Sequence, residues 1–311
     1  MTWDNPQPID FDQIGLPGRT PPVQRRVSGV VDAITSGLQG SSLGLMVRGE
    51  LPTVVLDKAS SKWYERVASG LSQMAGDFPA MVAGGIGGGL AGTAVGGAVS
   101  GPAAPIFGIL GAGAGSFAAP AAIRTTLMEA YSKGSVADLS DFLSRAQIVL
   151  TETAKEGALG AVTFGAGAAA KLGAATLMGA RGVATPIALG QASIASRGGQ
   201  NMITGLARTA ELGTMVTGGA MLHGHLPDAQ DFIDGAIVLG GAHLAIKVAG
   251  SLRETYARTG VTPAKVVADA QRDPTIAQDL INGRPIDAKV TQRADGITYE
   301  VVPYKHEEGA R

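Results

Sequence analysis

Between Asp77 and Arg124 the chain runs for 46 residues without a formal charge, and its large apolar side chains are spread through the stretch, not gathered on one stripe. Met81, Val82, Ile86, Leu90, Val95 and Val99 fall in the first half, and Ile106, Phe107, Ile109, Leu110, Phe117 and Ile123 in the second. Ser100-Gly101-Pro102-Ala103-Ala104-Pro105 breaks the run near its middle, because proline fixes φ and removes a helix donor. Each piece is about 20 residues, or about 30 Å as a helix, the thickness of a bilayer's hydrocarbon core. The pattern predicts a helical hairpin long enough to cross a membrane and return.

Around this stretch the periodicity is more ordinary. Residues 27–39 carry a weak helical pattern, and 60–74 a stronger one with Trp63, Val67, Leu71 and Met74 on one face. Pro79 is expected to open a new element. Residues 182–222 continue a low-charge helical pattern, and a well-formed helix runs from Asp228 to Arg258, stopped at Thr259-Gly260. Thr262-Pro263 and Asp273-Pro274 start short helices, and Asn282-Gly283 ends the second. Residues 288–293 and 297–302 alternate around Asp295-Gly296, which predicts a β-hairpin. At the other end Pro6, Pro8, Pro17, Pro21 and Pro22 predict an extended arm. The expected fold is mainly α: a Gly/Ala-rich helical bundle with a glycine-zipper helical hairpin, an extended N-terminal arm and a small C-terminal β-hairpin. Its expected divisions are an arm at 1–26, N-terminal helices at 27–76, the Gly/Ala-rich region at 77–260, and short helices with the hairpin at 261–311.

Glycine spacing sharpens the expectation. Gly84, Gly88, Gly92, Gly96 and Ser100 repeat every four residues, and Gly85, Gly89, Thr93, Gly97 and Gly101 form a second row beside them. Gly111, Gly115 and Ala119 continue the theme, as do Gly157, Ala161, Gly165, Ala169 and Gly173. A helical glycine costs about 1 kcal/mol relative to alanine, so such rows need an offsetting gain. Close backbone approach of two helices supplies it, as in small-xxx-small membrane pairs. This assigns the twelve glycines of these rows at 84, 85, 88, 89, 92, 96, 97, 111, 115, 157, 165 and 173 to helix packing or membrane contact. A soluble bundle packed through the same small residues is the competing reading. The scarcity of Leu and Phe makes transfer into lipid marginal, which suits a conditional membrane protein.

Composition narrows the function classes. Charged residues are 16% where about 25% is usual, and 45% of the chain is apolar, which argues against wholesale disorder. A net charge of −1 gives no general attraction to nucleic acid or anionic lipid, and no sequence-specific nucleic-acid binding is expected. With no cysteine, disulfides, thiol catalysis and thiolate zinc sites are excluded. The N-terminus lacks the basic start and apolar core of a secretory signal.

Residues 134–143 match 224–233 at a constant offset of 90, each copy with a turn glycine, acids in the first helical turn and an Asp-Phe-Leu or Asp-Phe-Ile start. A duplicated unit and two similar caps are both consistent with this match.

Catalytic chemistry is sparse. Gly87-Gly88-Gly89-Leu90-Ala91-Gly92 fits a dinucleotide pattern only on paper, with no strand before it and no acid about 20 residues on. His223, His225, Asp228 and Asp231 have metal-ligand chemistry, but a turn followed by a capped helix explains each of them without a metal. Ser193 and Ser196 have no nearby histidine, and Glu50, Glu65, Glu129 and Glu152 fit solvated faces. No catalytic, cofactor-binding or metal-binding residue is assigned, and no enzyme activity is expected.

The order of features does resemble one family. Residues 71–82 (Leu-Ser-Gln-Met-Ala-Gly-Asp-Phe-Pro-Ala-Met-Val), the glycine rows, 121–131, the Asp-Phe-Leu helix start and Glu211-Leu212-Gly213-Thr214-Met215-Val216 resemble a segment of the large internal virion proteins of tailed bacteriophages, over roughly residues 60–260. Such proteins are packaged in the capsid or tail and leave with the genome, and some form conduits across the host envelope. The resemblance implies a virion protein ejected into the host, with other virion proteins, a homo-oligomer and host membrane lipid as partners. A structural core or tape-measure-like component without a membrane role is the alternative, and a pore-forming toxin or effector a third reading. Enzymatic regions that longer members carry have no counterpart here.

Overall fold

The computed structural model describes residues 24–57, 60–100, 104–134, 138–177, 197–222, 224–293 and 296–302. Among these the chain is mainly α. The helices are α1 (Val30–Gly40), α2 (Ser42–Arg48), α3 (Trp63–Ser100), α4 (Ala104–Lys133), α5 (Leu139–Leu177), α6 (Arg197–Leu222), α7 (Ala229–Thr259), α8 (Pro263–Ala270) and α9 (Pro274–Ile281). Strands β1 (Arg25–Arg26) and β2 (Val54–Val55) pair in parallel, and β3 (Asp287–Arg293) and β4 (Gly296–Val302) pair antiparallel with Asp287 opposite Val302 and Arg293 opposite Gly296. The expected arm lies, up to residue 23, outside the described residues, as do 182–196 of the helical pattern expected over 182–222.

Helix boundaries fall where the chain supplies caps. Asp138 Oδ1 accepts the Asp141 N–H at 2.9 Å ahead of α5, and Asp228 Oδ1 accepts the Asp231 N–H at 2.9 Å ahead of α7. The preceding turn glycines, Gly134 and Gly224, take φ of 73° and 75°, a left-handed conformation that costs glycine nothing and other residues about 1–2 kcal/mol. The two stretches matched at an offset of 90 thus share a left-handed turn glycine and an aspartate cap at the helix start. Only the second adds the reciprocal bond, Asp231 Oδ2 accepting the Asp228 N–H; Asp141 instead holds Arg145 through two short charge-assisted bonds.

These caps make a pH prediction. The Asp141 N–H and Ser140 hydroxyl hold the Asp138 carboxyl below its ordinary value, the Asp231 N–H does the same for Asp228, and the Thr275 hydroxyl and N–H for Asp273 at the start of α9. Carboxyls depressed in the folded state contribute stability that is fully present above the unfolded value of about 3.9 and is lost as pH falls through the folded one. Urea midpoints are therefore expected to hold level from neutral pH down to about 5 and to drop below about 4. Asparagine caps as well as aspartate but does not titrate. Asp138→Asn/Asp228→Asn is expected to match wild type at neutral pH and lose less at pH 3; an equal loss overturns the assignment.

One expectation is corrected. Pro79 does not open an element: α3 passes through it without a break, as α4 passes through Pro120. A helix-interior proline leaves the carbonyl four residues earlier without its donor. Pro79 and Ala75 both lie on the exposed side of α3, where water takes that role.

Two compact units divide the chain, one up to Ala242 and one from His243, with the boundary inside α7. In the first, α3, α4, α5 and α6 pack in chain order. Each is antiparallel to the one before. Gly84 faces Gly115 and Gly92 faces Phe107 across α3 and α4; Leu110 faces Gly165 and Ala118 faces Gly157 across α4 and α5; Leu159 faces Gly218 and Gly167 faces Glu211 across α5 and α6. Phe117 and Phe164 meet edge to face at 6.3 Å in the core between them. On the flank, Gln39 Oε1 accepts the Thr53 and Val54 N–H groups at 2.8 and 3.2 Å, tying β2 to α1. The second unit has its own small core of Leu252, Val261, Val266, Ile276, Leu280 and Ile286, in which the Ile286 N–H donates to Thr255 Oγ1 at 2.8 Å.

Candidate helix-packing and membrane interface

Side chains vanish where α3 meets α4. A Cβ built on Gly84 would strike the carbonyl oxygen of Gly115, one on Gly88 that of Gly111, and one on Gly92 that of Phe107; the reverse holds for Gly111 against Gly88 and Gly115 against Gly84. Partner numbers fall by four as the row rises by four, so this is a backbone-on-backbone contact along three helical turns. It spends the row inside the chain itself.

The second row behaves differently. Gly85 and Gly89 are buried, Gly89 in ordinary contact with its Cβ position 3.5 Å from Ala112 Cβ, while Gly96 of the first row is also buried. Gly97 is exposed and has open space around it. On α5, a Cβ built on Gly157 would lie 3.3 Å from Ala118 Cβ and one on Gly165 3.0 Å from a Leu110 methyl, and Gly173 lies within the helix near its end. Tighter approaches on α5 come from residues outside the predicted row. Gly160 lies against the backbone of Gly113, and Gly167 under the buried carboxyl of Glu211. Gly113 sits between Gly111 and Gly115 on the opposite side of α4, so four-residue spacing does not reveal it.

Toward its C-terminal end α3 leaves apolar residues exposed on more than one side, Leu90 away from the glycine row and Val95 on the row's own side beyond Gly92. Leu90 is 51% and Val95 55% exposed, and Gly87, Ala91, Ala94 and Ala98 are exposed with them. Among the described residues two helices are long and apolar enough to cross a membrane, over Trp63–Ala98 and Ala229–Thr259, with 22% and 39% of their most apolar windows buried. Core helices of soluble proteins pass the same test when mostly buried; the α3 window is mostly not.

The charge-free stretch is closed at its base by the two charges that bound it. Arg124 Nη1 donates to Asp77 Oδ2, and Asp77 Oδ1 accepts the Ser42 N–H at 2.7 Å and the Ser42 hydroxyl at 2.6 Å. The Asp77 side chain is 6% exposed and Arg124 25%. One carboxylate thus joins α2, α3 and α4.

Of the residues with metal-ligand chemistry, His223 lies outside the described residues. His225 Nδ1 lies 3.0 Å from the Leu226 carbonyl oxygen and 3.6 Å from Asp231, while Asp228 and Asp231 serve the α7 cap. Among the described residues no group of three or more acidic or histidine side chains converges as a metal site. Ser193 and Ser196 are outside the described residues, and Lys155 pairs with Glu152 and Lys133 with Glu129. No protein-family model matches this chain, and no curated protein or solved structure matches it either.

Proposed function

We propose that this is a non-enzymatic helical protein that meets a lipid bilayer through the glycine-zipper hairpin of α3 and α4, in the setting that the phage resemblance implies: a virion protein, ejected with the genome, that oligomerises and contacts or crosses the host envelope. The observation that carries the membrane part is the exposed apolar surface of α3, which includes Leu90 and Val95, in a stretch without charge. Apolar side chains left in water on a helix of bilayer length gain by transfer to hydrocarbon. With the Gly84–Gly88–Gly92 row spent inside the chain, this exposed surface is what remains for lipid or for a second copy.

A structural core or tail component is the second reading, and the same intrachain use of the glycine row favours it, because protein-on-protein packing then accounts for the row without lipid. Flotation with phosphatidylcholine vesicles separates the two. Wild type is expected to float and to release trapped dye. Leu90→Asp/Val95→Asp, which places two charges at positions about half exposed, is expected to remain in the dense fraction while its helicity and melting temperature stay close to wild type. An acid at a membrane helix's centre costs about 3 kcal/mol. Wild type left at the bottom of the gradient overturns the membrane reading in favour of the structural one.

A further inference from the structure

Helix α1 is turned inside out. Its buried side is Ala33, Ser36, Gly37 and Gln39, and a Cβ built on Gly37 would strike the Ser69 carbonyl oxygen and the Ser72 hydroxyl of α3. Its outer side carries Val31, Ile34 and Leu38 at i, i+3 and i+7, one stripe, with Val31 78% exposed and Val30 exposed beside it. A surface helix ordinarily turns such a stripe toward the core and its small and polar residues toward water. Helix α2, which follows after Ser41 alone, repeats the arrangement. Ser42 and Leu45 are buried, while Leu43, Met46 and Val47 are exposed at i, i+3 and i+4, Val47 at 77%.

Polar bonds on the inner side fix this orientation. Gln39 Oε1 accepts the Thr53 and Val54 N–H groups, Ser42 donates to Asp77 through both its N–H and its hydroxyl, and Ser41 Oγ accepts the Gly44 N–H at 3.1 Å. Rotating either helix to bury its outer stripe breaks those bonds, and an unpaired buried polar group costs more than a bond gains. The stripes therefore stay outward in the folded chain, and contact with another surface is what takes them out of water.

Charge and area indicate which surface. Residues 24–57 carry three cations, Arg25, Arg26 and Arg48, and three anions, Asp32, Glu50 and Asp57. Asp32 holds Arg25 through two bonds of 2.6 and 2.7 Å, Arg26 lies 3.3 Å from Asp57, and Arg48 pairs with Glu50, so these charges answer one another within the chain. A helix that lies on anionic lipid carries an excess of Lys and Arg on its polar face, and these segments have no excess. An identical neutral surface meets no like-charge repulsion here. Seven apolar side chains so exposed amount to several hundred Å², the greater part of the about 800 Å² that each partner gives to a stable dimer.

We propose that α1 and α2 form an isologous contact between two copies of this chain, the Val31–Ile34–Leu38 stripe of each copy packing on these two helices of the other. The contact rests on the proposed function only in giving its oligomer an interface. It is separate from the surface assigned to lipid, because α1 meets α3 at Ser69 and Leu90 lies about 30 Å further along that helix.

Analytical ultracentrifugation of the full-length protein tests the contact. Wild type is expected to sediment as a dimer at about 10 µM and to dissociate on dilution. Val31→Glu/Val47→Glu puts like charges on both copies at the two most exposed of the seven positions. It is expected to weaken the dimer at least hundredfold with helicity unchanged, since glutamate is a better helix former than valine. Leu90→Asp/Val95→Asp is expected to leave the dimer intact. A wild type that stays monomeric overturns the proposal: a melting temperature lowered in Val31→Glu/Val47→Glu would then assign the face to residues 1–23 of the same chain, and vesicle binding lost in that variant would assign it to lipid. A dimer that survives in Val31→Glu/Val47→Glu overturns it as well. A wild-type dimer that remains at the bottom of the flotation gradient upholds this contact while removing the membrane reading, so the two fail separately.

Discussion

Gly88→Leu/Gly92→Leu is expected to lower the melting temperature by roughly 10–20 °C, while Gly87→Ala, one residue away, raises it. A Cβ at Gly88 or Gly92 runs into a carbonyl oxygen of α4, not into the end of a flexible side chain, so relief requires the two helices to part. Overpacking costs about 1–3 kcal/mol where side chains can yield and more where backbone must move, so the pair is expected to cost about 5 kcal/mol. Total stabilities are about 5–15 kcal/mol, and about 1 kcal/mol shifts the melting temperature by 2–4 °C in a domain of this size. The two sites lie on adjacent turns against the same partner, so their costs are not additive. Gly87 has nothing within 4 Å of its Cβ position and is exposed; alanine there gains about 0.5–1 kcal/mol of helix propensity. Far-UV circular dichroism melts of the three proteins read both signs. A double variant that melts like wild type would mean that α3 and α4 do not approach backbone to backbone.

How far the sequence reveals this arrangement depends on whether the information is local. Helix starts at Pro263 and Pro274, and stops at Gly260 and Gly283, are legible because a cap, a proline or a left-handed glycine acts within one turn. The Gly84–Gly88–Gly92 row is visible as a spacing, but its partners are a tertiary fact: only folding sets Gly88 against Gly111 and Gly113 against Gly160. Pro79 misleads for the converse reason. Its local cost is real, and the exposure that makes it tolerable is decided by how α3 packs.

The Asp77–Arg124 pair joins both kinds of information, since the charges visibly bound the uncharged stretch while Ser42, the third partner, lies 35 residues upstream. Removing either charge is expected to have unequal effects. Arg124→Met leaves a carboxylate that is 6% exposed with only Ser42 to answer it, and breaking a buried pair in this way costs about 3–5 kcal/mol. Asp77→Asn keeps an oxygen for the Ser42 N–H, and the freed guanidinium, a quarter exposed, reaches water; about 1–2 kcal/mol is expected, as for one lost charge-assisted bond. In the double variant no unpaired charge is left inside, so it is expected to be more stable than Arg124→Met alone, and a double-mutant cycle by urea unfolding measures that coupling. Equal costs for the two single variants, with no recovery in the double, would show the pair to be incidental. A positive coupling carries a consequence for the hairpin. Under the proposed membrane reading, the ion pair and Ser42 would set the depth at which entry into a bilayer stops, because the stretch between the two charges carries none of its own.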